Sequence, residues 1–337
     1  MIMNNFKSKI SLALLLISGA FMSSCSESFL DVSSKTEPNS ENYYKTESQA
    51  LRALYGCYDG WRQVSSNPGA YSFLMASSIM SDECYGGAGV GDGYGAQLID
   101  RFDKAAAPSE MNVFEQEWKV YYAGVFRCNT LIVSDPNIAW EDETNHTRIM
   151  GECRALRALL YFDMVRLWGN IPLFTEPSND NKEQADPQDV YALIFDDLRY
   201  AIDHIEADDN LGENNYGRIT KYAAEALFAR AYLFYSGYYG AEPVYSDGTS
   251  INRQEALAAV EDVIAQGKYE LVSDFKNLWP AASLVPVKGS TGWDQEKSTY
   301  AGDYNSEVIL AQNFTPTQNY DGDNDANRWL VNLGMRN

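Results

Sequence analysis

The chain has 337 residues, 45% of them hydrophobic and 13% aromatic, enough to bury a substantial core. It carries 26 lysines and arginines against 47 aspartates and glutamates, a formal charge of −21. A surface of that sign repels phosphate backbones and anionic headgroups, which argues against nucleic acid and against a polybasic membrane footprint and suits a neutral ligand.

Lys7 and Lys9 precede an apolar run at residues 10–21, shorter than the ~20 residues that a bilayer-spanning helix needs. Basic residues ahead of such a run read as a secretory signal over residues 1–24. Met22-Ser23-Ser24-Cys25 then leads small residues into a cysteine, a pattern that resembles a bacterial lipobox. That resemblance implies that the Cys25 thiol carries diacylglycerol and becomes the mature N-terminus, with a further acyl chain such as palmitate. Two or three acyl chains hold a protein on a membrane stably, whereas one does not. No later stretch approaches 18 consecutive apolar residues, so no second span is expected.

Helix signals follow in order. Thr46-Glu47-Ser48-Gln49 is a capping-box pattern opening a helix with Ala50, Leu51, Leu54, Tyr55, Tyr58 and Trp61 at three-four spacing. A second helix begins near Asn112, carries Trp118, Tyr121, Tyr122, Val125, Phe126 and Leu131, and stops at Asp135-Pro136. A third runs from near Asn145 to Trp168, with Gly169 as its stop. Asp186-Pro187 opens a fourth, with an N-cap followed by proline at the first helical position. Thr220 caps a fifth, expected to close at Gly237; Asn252 and Glu255 frame a sixth that ends at Gly267.

The last five helices start near 112, 145, 187, 220 and 253, mostly about 33 residues apart. Regular spacing predicts stacked helix pairs, tetratricopeptide-like in packing logic only, because a true tetratricopeptide fits two helices into about 34 residues. The predicted fold class is therefore mostly α, with long irregular loops and few short strands. Two regions break the periodicity. Residues 84–97 (CYGGAGVGDGYGAQ) hold six glycines and read as a mobile loop; residues 279–329 carry aromatics, and within them only 307–312 (EVILAQ) reads as a strand.

Four cysteines remain beyond Cys25: Cys57, Cys84, Cys128 and Cys153. Three lie among apolar residues of helical patterns, where free buried thiols are as consistent as disulfides. No CxxC pair exists, so no metal site built on cysteine is expected, and no cofactor is implied. Asp321-Gly-Asp323-Asn-Asp325 begins like a calcium loop, but Ala326 stands where glycine is needed and Asn332 where the bidentate glutamate belongs.

Several of these segments together resemble the SusD/RagB family of lipoproteins. The resemblance starts at Cys25 and Phe29-Leu30-Asp31 and continues through Pro38, Tyr44-Lys45-Thr46, Gly56-Cys57-Tyr58, Ser81-Asp82-Glu83, Trp118 with Tyr121, and Cys128-Asn129. Its most specific part is residues 152–173 (ECRALRALLYFDMVRLWGNIPL). Val190-Tyr191, Asp197-Leu198, residues 217–221 (GRITK) and residues 306–309 (SEVI) keep the family order. The resemblance implies one SusD-like helical domain over 25–337: a tether at 25–45, a helical core at 46–270 and a loop-rich region at 271–337. Relatives are commonly longer, and the sequence stops in mid-pattern, so the expectation is either a short product or a chain that lacks part of the ligand-bearing region.

The resemblance implies binding of an oligosaccharide or similar nutrient, peptide-type ligands included, and its delivery to a SusC-like, TonB-dependent transporter of the outer membrane. By position, the resemblance nominates Tyr85, Tyr94 and Gln97 after the Ser-Asp-Glu segment, with Trp293, Tyr300, Tyr320 and Trp329 past the helical core. Aromatic faces and amides are what a neutral oligosaccharide requires. The expected protein is lipid-anchored on the outer membrane, faces the exterior, and makes or breaks no bond. A glycoside hydrolase and a helical scaffold for protein partners are the alternatives. HExxH and GxSxG are absent and only His146 and His204 occur, but two carboxylates suffice for glycoside hydrolysis. Asp82-Glu83 and Asp196-Asp197 read as helix-end or surface charge, and Arg154, Arg157 and Arg166 beside Glu152 and Asp163 as helical ion pairing.

Overall fold

The computed structural model describes residues 43–66, 71–81, 83–87, 91–103, 112–207, 216–280, 282–288 and 294–314. Its helices are α1 (Glu47–Ser66), α2 (Phe73–Met80), α3 (Tyr94–Asp100), α4 (Glu115–Ser134), α5 (Glu143–Trp168), α6 (Pro187–His204), α7 (Lys221–Tyr239) and α8 (Arg253–Ala265). Strands β1 (Ile171–Pro172) and β2 (Gln184–Ala185) pair antiparallel, as do β3 (Leu284–Lys288) and β4 (Asp294–Ser298). The fold is mostly α, as predicted. None of the described helices is long and apolar enough to cross a membrane.

Local capping chemistry sets most helix ends. At α1 the capping box closes both ways: Thr46 Oγ1 accepts from Gln49 N at 3.3 Å, and Gln49 Oε1 accepts from Thr46 N at 3.1 Å. Asp142 Oδ1 accepts from Thr144 N and Asn145 N to start α5, and Gly169, at φ +70°, ends it. Thr220 Oγ1 caps α7 and Asn252 Oδ1 caps α8. The predicted stop at Gly237 is wrong. Gly237 keeps a helical backbone inside α7, which ends only where Gly240 turns left-handed at φ +66°.

Successive helices pack on one another: α1 on α4, α4 on α5, α5 on α6, α6 on α7 and α7 on α8, with α1 also reaching α5. The long helix α5 is the axis of the core, burying Leu156, Leu160, Tyr161 and Met164 against Leu54, Tyr121, Val125, Ile194 and Phe195. Polar side chains inside this core are tied together. Glu152, fully buried, accepts from Tyr58 Oη at 2.7 Å, from Arg148 Nε at 2.9 Å and from Arg218 Nη2 at 2.7 Å. Arg166 pairs with Asp163 on its own helix, but Arg154 and Arg157 both reach across to Asp197 on α6. Asp197 is thus wholly buried in an ion pair and is not surface charge.

The C-terminal part departs most from expectation. Hairpin β3–β4 stands where loop was predicted, and residues 307–312 form no strand. Instead, Ser306 is anchored to the backbone of Glu270, Ile309 and Leu310 pack on the helical core, and Gln312 Nε2 donates to Trp61 O at 2.8 Å. The segment is a strap whose apolar residues find the core without a ladder.

Candidate functional site

Tyr85, Tyr94 and Gln97 fall together on one segment. The glycine run enters α3, a helix that periodicity misses, through Gly93 in left-handed conformation at φ +61°. The loop before it is pinned: Gly86 N donates to Asp100 Oδ2 at 3.2 Å, and a Cβ at Gly86 would lie 2.3 Å from Ala96 O. Only glycine permits that approach. Gln97 Nε2 donates to Asp92 O at 2.6 Å, so its amide braces the turn. Tyr85 is left 86% exposed and Tyr94 43% exposed, two phenol rings displayed on a braced frame.

From this frame a row of half-buried aromatics leads along the molecule. Gly95 of α3 abuts Tyr71, and ring contacts then link Tyr71 to Phe114, Phe114 to Trp168, Trp168 to Trp118, Trp118 to Tyr122 and Tyr122 to Phe174. Centroids along the row are 4.8–6.4 Å apart, the range of edge-to-face and offset ring packing. Sequence reading found Trp118 and Tyr122 as helix-face residues only. Their union with Phe174, beyond Pro172, comes from β1 turning the chain back over α4, where Tyr122 Oη donates to Pro172 O at 2.8 Å.

The row ends in a cleft of about 320 Å³ floored by Trp118, Tyr122, Phe126 and Phe174 and edged by Glu176, Asn179, Asp180, Asn181 and Lys182. Buried Asn129 donates to Phe174 O at 2.9 Å, and Lys182 Nζ donates to Leu173 O at 2.6 Å, so the rim loop is held at its base. Ring faces below and amide and carboxylate groups around the edge are the complement of a molecule with apolar CH faces and many hydroxyls.

Immediately before Trp118 on α4 lies Glu117, whose carboxyl is fully buried, with both oxygens lacking a hydrogen-bond partner among the described residues. Burial, together with the nearby charge of Asp163, pushes its pKa up to about 9. A neutral acid therefore sits in the core close to Asp163 and Tyr121 at neutral pH.

Tyr300 lies elsewhere, on a turn held to Asn277 and Ser283, with its hydroxyl on Asp303. Cys25, Trp293, Tyr320, Trp329 and the acidic run at 321–325 fall outside the described residues. His146 stacks on Trp140 and bonds Asp135 Oδ1 at 2.8 Å, and His204 Nδ1 lies 2.8 Å from Tyr200 O.

Comparison with known proteins covers most of this architecture. A SusD-like family profile, "Starch-binding associating with outer membrane", matches residues 28–233. SusD-like protein P38 of Formosa agariphila is 28% identical over 81% of this chain and 49% of its own. A solved structure named "Laminarin binding SusD-like protein" is 30% identical, with TM-score 0.56, over 70% of this chain and 48% of that one. Surface glycan-binding protein A of Bacteroides thetaiotaomicron, solved in complex with laminarihexaose, shares the fold at TM-score 0.60 and 21% identity over 83% of this chain and 52% of its own. The chain spans about half the length of the curated relatives it matches.

Proposed function

The chain belongs to the SusD-like family, and from that membership we propose that it captures a neutral oligosaccharide at the outer membrane and delivers it to a SusC-like, TonB-dependent transporter, breaking no bond. Cys25 carries the lipid anchor in this reading, and the protein faces the exterior. The observation that carries the reading is the aromatic row running from the Tyr85–Tyr94 frame to the Trp118–Tyr122–Phe174 cleft, with Asn179, Asp180 and Asn181 at its edge. Stacking on rings fixes the sugar plane, and the rim amides and carboxylates take the hydroxyls. In this reading Trp293, Tyr300, Tyr320 and Trp329, which the family resemblance nominates, supply further aromatic contacts to the ligand. The bearing of two relatives named for laminarin and laminarihexaose makes β-glucans the first ligands to try.

Affinity electrophoresis against a panel that includes laminarin, starch and charged polysaccharides tests this directly. Retardation by a neutral glycan, unaccompanied by release of reducing ends, is expected. Absence of retardation by every glycan, or turnover at a catalytic rate, would overturn it. Purification of the lipoprotein in detergent is expected to bring a transporter barrel with it.

A further inference from the structure

Three cysteines that share no sequence motif converge in the core. Cys57 comes from α1, Cys128 from α4 and Cys153 from α5, and each is 0% exposed. Their sulfur atoms all lie within 4.8 Å of one another, with Cys57 Sγ and Cys153 Sγ 4.0 Å apart. Cys153 Sγ also sits 3.5 Å from Cys128 O. The absence of CxxC spacing predicts no such group, because three separate helices supply one thiol each.

We propose that Cys57, Cys128 and Cys153 form a trigonal thiolate site for one soft monovalent cation, copper(I), bound within the helical core. The geometry fits the ion. A metal–sulfur bond of about 2.3 Å at the centre of an equilateral triangle places sulfurs about 4.0 Å apart, which is the Cys57–Cys153 separation. The cluster holds no histidine or carboxylate among the described residues. Structural zinc is four-coordinate, and calcium and magnesium take oxygen. An all-sulfur, three-donor set selects copper(I).

Arg157, buried on the next turn of α5 after Cys153, brings a positive charge close to the cluster, offset at Cys128 by its ion-pair partner Asp197. Loading the ion displaces the protons of the three thiols to solvent. No electron changes hands. Because every ligand is sealed from water, the ion enters while the helices close or during local opening.

The site is independent of glycan binding, and so is its test. The full chain is reduced, unfolded, and refolded without oxygen in the presence of buffered copper(I), then desalted. About one copper per chain is expected, with a near-ultraviolet thiolate-to-copper absorption. Cys84→Ser, outside the cluster, should leave both unchanged. Cys57→Ser and Cys153→Ser should each weaken retention at least about 100-fold, more than loss of an outer-shell partner does. Far-ultraviolet circular dichroism confirms that each variant folds. On the unaltered chain, copper-edge X-ray absorption should give three sulfur neighbours at about 2.3 Å. Refolded chain without copper, copper that survives both substitutions, or a nitrogen- and oxygen-ligated ion would overturn the proposal.

Discussion

Arg157 and Asp197 meet between α5 and α6 in a two-pronged ion pair: Nε donates to Oδ2 and Nη2 to Oδ1, both at 2.8 Å. Arg154 also donates to Asp197 at 3.2 Å, and Arg157 Nη1 donates to Asn129 Oδ1 at 2.7 Å. Both members of the pair are buried, so deleting one strands the other's charge in the core. Arg157→Met is expected to cost about 3–5 kcal/mol, whereas Arg157→Met with Asp197→Leu should recover part of that loss. Urea unfolding followed by tryptophan fluorescence measures both; a double variant no more stable than the single one would contradict the account.

Two glycines on α1 should respond to alanine with opposite signs. A Cβ on Gly60 would lie 2.9 Å from Gly124 Cα on α4, so Gly60→Ala must push the two helices apart, at about 1–3 kcal/mol. Gly56 has nothing within 4 Å of that position, so Gly56→Ala should stabilise by about 0.5–1 kcal/mol through helix propensity alone. Thermal unfolding of the pair, run side by side, reads the difference.

Glu117 should impose a pH dependence of unusual sign. Its pKa is up at about 9 in the folded state, against a carboxylate's ordinary value near 4.3 when unfolded. Between those values the folded chain holds a proton that the unfolded chain has lost. Stability therefore falls as pH rises through that window, with a limiting slope of about 1.4 kcal/mol per pH unit. Glu117→Gln keeps the shape and removes the titration. It should flatten the profile from pH 5 to 9 and raise stability most at the alkaline end. Parallel profiles for the two proteins in denaturant titrations would refute the assignment.

Ligand binding should separate from folding at the tyrosine frame. Tyr85 is 86% exposed, so Tyr85→Ala is expected to leave the melting temperature unchanged. A stacking ring at the centre of a binding surface costs more than about 1 kcal/mol on truncation, which corresponds to glycan retention weakened at least about fivefold. Asn181→Ala, at the cleft's rim, tests the other end of the row by the same electrophoresis. If both variants bind as the parent does, the aromatic row is not the binding surface.

Helix ends were legible because capping is written within three or four residues: Thr46 with Gln49, Thr220 with Ala223, Asn252 with Glu255. Choices between similar local signals were not. Gly237 and Gly240 both follow an apolar pattern, and the sequence does not say which one turns left-handed; the backbone does so at Gly240. Helices α2 and α3 went unseen because they are short and are set by a small shared cluster of Ile79, Ala96 and Ile99 more than by periodicity. The exposed tyrosines were legible as loop aromatics, and the family resemblance placed them. The Trp118–Tyr122–Phe174 floor and the three-sulfur cluster were not, since each depends on helices meeting far apart in the chain, which residue spacing does not encode.

The strap at Gln312 has a consequence for synthesis. Its hydrogen bond to Trp61 O joins positions 251 residues apart. At roughly 5–20 residues per second a ribosome needs about 13–50 s to make that interval. Throughout it, the first helix is already made while Ile309 and Leu310, which pack against the core that this helix joins, are not. So late a closing contact leaves the core surface that Ile309 and Leu310 cover exposed until the strap is made, and transiently exposed apolar surface is what makes nascent chains prone to aggregate.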